Sequence, residues 1–130
     1  MVLDTSALFA MLSMEPEAAR LAAAVEADTM RLISAAIVVE IGLVIESRHG
    51  HDGSRELDLF IAKAGLSIES VTSELAEVAR DAWRRYGRGR HSAALNFGDC
   101  FSYALAKVTG EPLLFKGDNF SRTDVAAVDY

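Results

Sequence analysis

Four short apolar runs punctuate the chain, and their spacing restricts the fold more than any other feature. They lie at 1–3, 31–33, 66–70 and 113–115, with long stretches of helical character between them. Short apolar runs read as buried strands, and 66–70 alternates enough to be a strand as well. Strands separated by helices at these distances predict an α/β fold in which a parallel sheet is covered on both faces. A further apolar stretch at 125–128 is expected to add an edge strand, for four to five in all.

The helical stretches are expected at 7–12, 17–27, 35–48, 54–64, 72–86 and 98–108. Pro16 suits a first helical turn, and Ser34 and Thr72 suit N-caps. Gly50, Gly65, Gly87 and Gly110 mark ends. Leu75, Ala79, Ala82 and Tyr86 share one helical face with Trp83 on its flank, and Arg84 and Arg85 complement the dipole in the last turn. No repeat, linker or low-complexity segment divides the 130 residues, so 1–130 reads as one domain.

The formal charge of −6 argues against broad, nonspecific attachment to nucleic acid. It leaves open a nuclease whose own site gathers carboxylates around a cation. The single cysteine, Cys100, sits among Phe97, Phe101 and Leu105 and reads as a buried reduced thiol. The start lacks a basic leader and carries Asp4 where an apolar segment would run, and the stretch 32–45 is interrupted by Glu40. A cytoplasmic protein with no membrane association is expected.

Four acids stand where surface acids do not belong. Asp4 ends the first strand, at the edge where α/β proteins keep their sites, although it can equally cap the helix that follows. Glu40 has Ala36, Ile37, Leu43 and Val44 as helical neighbours, so its carboxylate leaves an apolar face and needs a cation, a hydrogen-bond network or a raised pKa. Asp99 opens a helix after Asn96-Phe97-Gly98, and Asp118 follows the fourth strand across Lys116-Gly117. Oxygen-donor acids gathered at one sheet edge, without cysteine or paired histidine, form a site for Mg²⁺, with Mn²⁺ able to substitute. Such a site suits phosphodiester hydrolysis by metal-activated water.

These segments together resemble the PIN-domain ribonucleases, and within them the VapC toxins of type II toxin–antitoxin modules. The matching pieces are Val2-Leu3-Asp4-Thr5-Ser6-Ala7-Leu8, Glu40, the run from Asn96 to Ala104 that contains Gly98-Asp99, and Leu113-Leu114-Phe115-Lys116-Gly117. The resemblance implies a three-layer α/β/α sandwich, a homodimer, an RNA substrate, and a VapB-like antitoxin whose tail brings an arginine into the acidic pocket. It also implies that Asp4 and Asp99 are the principal Mg²⁺ ligands, that Glu40 completes the acidic centre, and that Thr5 or Ser6 supports it. For the fourth acid it points to the second loop position, which here is Asn119. Asp118 is the favoured substitute, with Asn119 itself or Asp124 as alternatives.

Arg88 and Arg90, in a glycine-rich basic loop, are candidates for contacts with RNA phosphates, or simply close a helix. Neither a recognition helix nor a stacking platform is evident, so no RNA sequence is predicted. Two other functions fit the acids: a phosphohydrolase with Asp4 as covalent nucleophile, and a catalytically weak module that only receives a basic partner.

Overall fold

The computed structural model describes residues 1–130. In three of its strands adjacent apolar residues go to opposite sides: Leu3, Ile33 and Leu114 enter one core, Val2, Leu32 and Leu113 the other. This is the period-two alternation of a pleated strand, and burial of both sets means that the sheet is covered twice. The first core is closed by α1 (Thr5–Leu12), α2 (Ala18–Ala27) and α3 (Ala35–Lys63), through Leu8, Leu21, Val25, Ile37 and Ile41. The second is closed by α4 (Ser73–Tyr86) and α5 (Phe97–Thr109), through Leu75, Ala79, Tyr103 and Leu105. The expected α/β/α sandwich is the observed architecture.

The sheet comprises β1 (Val2–Leu3), β2 (Leu32–Ser34), β3 (Ser67–Glu69) and β4 (Leu113–Leu114), in the order β3-β2-β1-β4 and parallel throughout. Val2 stands opposite both Leu32 and Leu113. From β1 the chain winds outward through β2 to β3, then returns past both to set β4 on the other side of β1. That reversal is a topological switch point, and open α/β sheets have their crevice at such a point, beyond the strands' C-terminal ends. Asp4 follows β1 directly, and the loop of Lys116 to Asn119 follows β4.

Two elements differ from the sequence expectation. At 125–128 there is one parallel bridge between Leu113 and Ala127, because β4 is too short to carry a fifth strand. The two expected helices follow one another directly within α3, so the polar run at 51–54 is helical and not a loop. The expected break is nonetheless present at Gly50, whose φ of 66° and ψ of −161° turn the two halves against each other. No helix is long and apolar enough to cross a membrane.

Candidate functional site

Asp4 is the N-cap of α1, so its carboxylate is fixed by the same turn that ends β1. It is 2% exposed, and a carboxylate that deeply buried must be hydrogen-bonded or it destabilises the fold by several kcal/mol on the order of. Three donors meet that need. The Ser6 backbone N–H and hydroxyl donate to Oδ2 at 2.9 and 2.6 Å, and the wholly buried Ser102 hydroxyl donates to Oδ1 at 2.6 Å. The Ser6 hydroxyl in turn accepts from the Lys116 backbone N–H at 3.0 Å, which ties α1 to the loop after β4. The Lys116 ammonium is held by Glu15 at 2.6 Å and Glu17 at 3.1 Å, outside the acid cluster.

Glu40 is half-buried, and the Thr5 hydroxyl donates to its Oε2. Its face is apolar only in part: Ile37 and Ile41 are buried, whereas Val39 and Leu43 are exposed, so Glu40 sits at the border of the core. No arginine pairs with it. A Cβ on Gly98 would fall on the Glu40 carboxylate, so the absence of a side chain at 98 is what lets this acid rest against the first turn of α5.

Asp99 occupies that turn in a reciprocal capping box. The Asn96 N–H donates to Asp99 Oδ2 and the Asp99 N–H to Asn96 Oδ1, both at 2.8 Å. Burial raises the Asp99 carboxyl to about 6, the Asn96 amide opposes that rise, the negative charges of Asp4 and Glu40 add to it, and the Asn119 amide opposes it. Three acids from β1, α3 and α5 thus act on one another, with Asn119 at their margin.

The remaining candidates lie elsewhere or at the edge. Asp118 is exposed on the loop and makes no hydrogen bond or ion pair with the three acids. Asp124 accepts from the Tyr103 hydroxyl at 2.6 Å and from Lys107 and Arg85 at 3.4 Å; these partners, the tyrosine foremost, hold its carboxyl down at about 2. Arg88 is exposed, and the Arg90 guanidinium lies over the Trp83 ring, 4.2 Å from its centroid. Cys100 is 4% exposed, and burial followed by the Asp99 charge pushes its thiol up to about 11, which removes it as a nucleophile at neutral pH.

The donor set consists of carboxylate, amide and hydroxyl oxygens, which fits a hard divalent cation and not zinc. No three of the chain's His, Cys, Asp and Glu side chains form a ready-made cage. Mg²⁺ does not require one, because it binds through one or two carboxylates and keeps waters or phosphate oxygens in its other positions. Asp99, which lacks a cationic partner, and Asp4, whose Oδ1 keeps a lone pair beyond its single donor, are the fitting carboxylates.

Sequence reasoning missed two residues of the site, Ser102 and Gly98. Ser102 carries a readable signal: it stands three positions after Asp99 on the same helix, a hydroxyl among Phe101, Tyr103, Ala104 and Leu105. Gly98 carries none beyond its place before Asp99.

Comparison with known proteins bears on the chain as a whole. The PIN domain family matches residues 1–126. The ribonuclease VapC30 of Mycobacterium tuberculosis is 58% identical over 128 residues, covering 98% of each chain. The ribonuclease VapC of Mycolicibacterium smegmatis is 57% identical over 128 residues, covering 98% of this chain and 99% of its own. Among solved structures, the sarcin-ricin loop cleaving toxin VapC20 of M. tuberculosis superposes with a TM-score of 0.80 at 20% identity, over 98% of this chain and 97% of that one. A chain of a toxin–antitoxin complex from Klebsiella pneumoniae does so with a TM-score of 0.72 at 18% identity, over 99% and 97%.

Proposed function

Since the chain belongs to the PIN-domain family, and within it to the VapC ribonucleases, we propose that it is the toxin of a toxin–antitoxin pair, a Mg²⁺-dependent endoribonuclease. The observation that carries this reading is the meeting of Asp4, Glu40 and Asp99 at the switch point with no basic side chain among them. An acid cluster left without an internal counter-charge suits an external one: a metal ion during turnover, and a basic side chain of an antitoxin during inhibition.

In the proposed mechanism Asp4 and Asp99 would hold the cation, which when bound would lower the pKa of an attacking water and stabilise charge at the leaving oxygen. Ser6 and Ser102 hold the Asp4 carboxylate in place and fix the direction of its oxygens. Thr5 holds the Glu40 carboxylate at the border of the site, where it can accept a proton from the nucleophile's side of the reaction. Asn119 offers an amide oxygen or N–H to the same shell, and Asp118 is the outer acid of the loop.

The alternative in which Asp4 is a covalent nucleophile is disfavoured by its 2% exposure and by donors on both of its oxygens. The test is cleavage of single-stranded RNA by the purified chain with Mg²⁺ and with EDTA, beside Asp4→Asn and Asp99→Asn. Cleavage that needs the metal and falls at least a hundredfold in both variants is expected, more than the roughly 10–100-fold that outer-shell groups cost. Undiminished cleavage by both variants would overturn the site.

A further inference from the structure

The sequence shows no stacking platform, yet the fold assembles one. A cleft of about 640 Å³ between α4 and the start of α5 is lined by Trp83, Phe97 and Phe101 and by the guanidinium-bearing Arg80, Arg84 and Arg90. Trp83 is 42% and Phe97 79% exposed, so aromatic surface faces solvent. Five of the chain's 13 basic residues fall within 80–90, although the chain as a whole carries −6. Arg80 and Arg85 have acidic partners; Arg84 and Arg90 have none. The Arg90 guanidinium already sits over the Trp83 ring, 4.2 Å from its centroid.

We propose that this cleft is a subsite for single-stranded RNA, in which an unstacked base lies against Trp83 and Phe97 while Arg84 and Arg90 take the flanking phosphates. The proposal rests on the ribonuclease reading above and extends it by naming where the strand is held. The chemistry matches the surface: bases stack on aromatic side chains and on arginine planes, and unpaired guanidiniums complement phosphate. Position matches as well. Phe97 and Phe101 line the cleft from the same first turns of α5 that carry Gly98 and Asp99 to the acids, so one strand can run over that helix end from subsite to scissile bond. An anionic strand drawn to an acidic site needs such a local basic hold.

The chain has one tryptophan, which makes Trp83 its own reporter. The experiment uses Asp99→Asn protein, a mixed-sequence 12-nucleotide single-stranded RNA, and EDTA to prevent cleavage. Saturable quenching of Trp83 fluorescence is expected, with Arg84→Ala and Arg90→Ala each weakening binding roughly five- to tenfold and flattening its salt dependence. Arg55→Ala, on the far half of α3, should bind as the parent does, and circular dichroism should show every variant folded. Unchanged fluorescence with parental affinity in both arginine variants, beside active wild-type enzyme, would overturn the subsite and leave the ribonuclease standing. A Trp83 shift that instead follows protein concentration without RNA, in step with sedimentation as a dimer, would assign the cleft to a second copy and overturn the proposal. Absence of both cleavage and binding would remove the ribonuclease reading itself.

Discussion

Helix α5 serves two carboxylates in opposite ways. Near its middle and end, Tyr103 and Lys107 join Arg85 around Asp124, and the acid is held down at about 2. In its first turn Asp99 has only the neutral donors Asn96 and Asn119, faces the charges of Asp4 and Glu40, and is pushed up to about 6. A fold that could pair one acid with two cations supplies none to Asp99, only eight residues before Lys107 on the same helix. The contrast separates an acid paired from within the chain from acids that the chain leaves without a cation.

The sharpest way to break that contrast is to disturb the support of the unpaired acids without touching them. Ser102→Ala removes the only donor to Asp4 Oδ1 inside a fully buried pocket. Loss of a buried partner should lower stability by about 1–3 kcal/mol, and affinity for Mg²⁺ should fall roughly 10–100-fold. Chemical denaturation and a metal titration followed by thermal shift measure the two. If metal affinity stays at the wild-type value, Ser102 only fills space.

Gly98→Ala tests the other unseen support. The new methyl meets the Glu40 carboxylate, which is held in turn by Thr5, so either the helix start or the acid must move. Overpacking of this kind costs about 1–3 kcal/mol. Activity should drop with it, and Glu40→Ala in the same chain should restore the stability while leaving the activity low. A double variant no more stable than Gly98→Ala would show that the clash is with something else.

Much of this was readable in the sequence, for a physical reason. Asp4, Glu40 and Asp99 each interrupt a local pattern, a strand end, a core-facing helix and a helix start, and local patterns are what periodicity reports. The alternation of Val2 with Leu3 and of Leu113 with Leu114 likewise places the sheet between two cores. Ser102 and Gly98 escaped because their roles arise from contacts across the fold: Ser102 reaches Asp4 across 98 positions, and Gly98 is defined by Glu40 on another helix. The loop after β4 has no period at all, so the resemblance could point to its second position but periodicity could not choose among Asp118, Asn119 and Asp124; in the fold it is Asn119 that bears on Asp99. Leu43 was misplaced on a buried face because the apolar stripe of α3 is wider than the strip that packs.

Neutralising the two acids separately should move stability in opposite directions. In metal-free protein Asp99→Asn keeps the acceptor for the Asn96 N–H and relieves the crowding with Asp4 and Glu40. Its melting temperature should equal or exceed the parent's. Asp124→Asn weakens bonds to Tyr103, Lys107 and Arg85, and its largely exposed setting limits the loss to about 0.5–1.5 kcal/mol. Differential scanning calorimetry in EDTA compares them, and destabilisation by both would erase the distinction.

The pH dependence supplies the last test, and its sign is the most specific to the contrast. Asp99 rises from an ordinary value of 3.8 to about 6 on folding, so between those two pH values the native chain binds more protons at this residue than the unfolded chain does. Its contribution to stability is therefore greatest below 3.8 and is lost as pH rises through 6. Asp124 falls from 3.8 to about 2, so its contribution is present above 3.8 and is lost as pH falls through 2. Subtracting the Asp99→Asn curve from the parent's, both without metal, isolates the first group from the other acids of the chain. The difference should slope downward from pH 4 to 6 and flatten above it. Millimolar Mg²⁺ should reduce that slope, because a cation at the acids competes with the proton for Asp99. A difference curve that rises with pH across this window would mean that Asp99, like Asp124, is satisfied from within the chain.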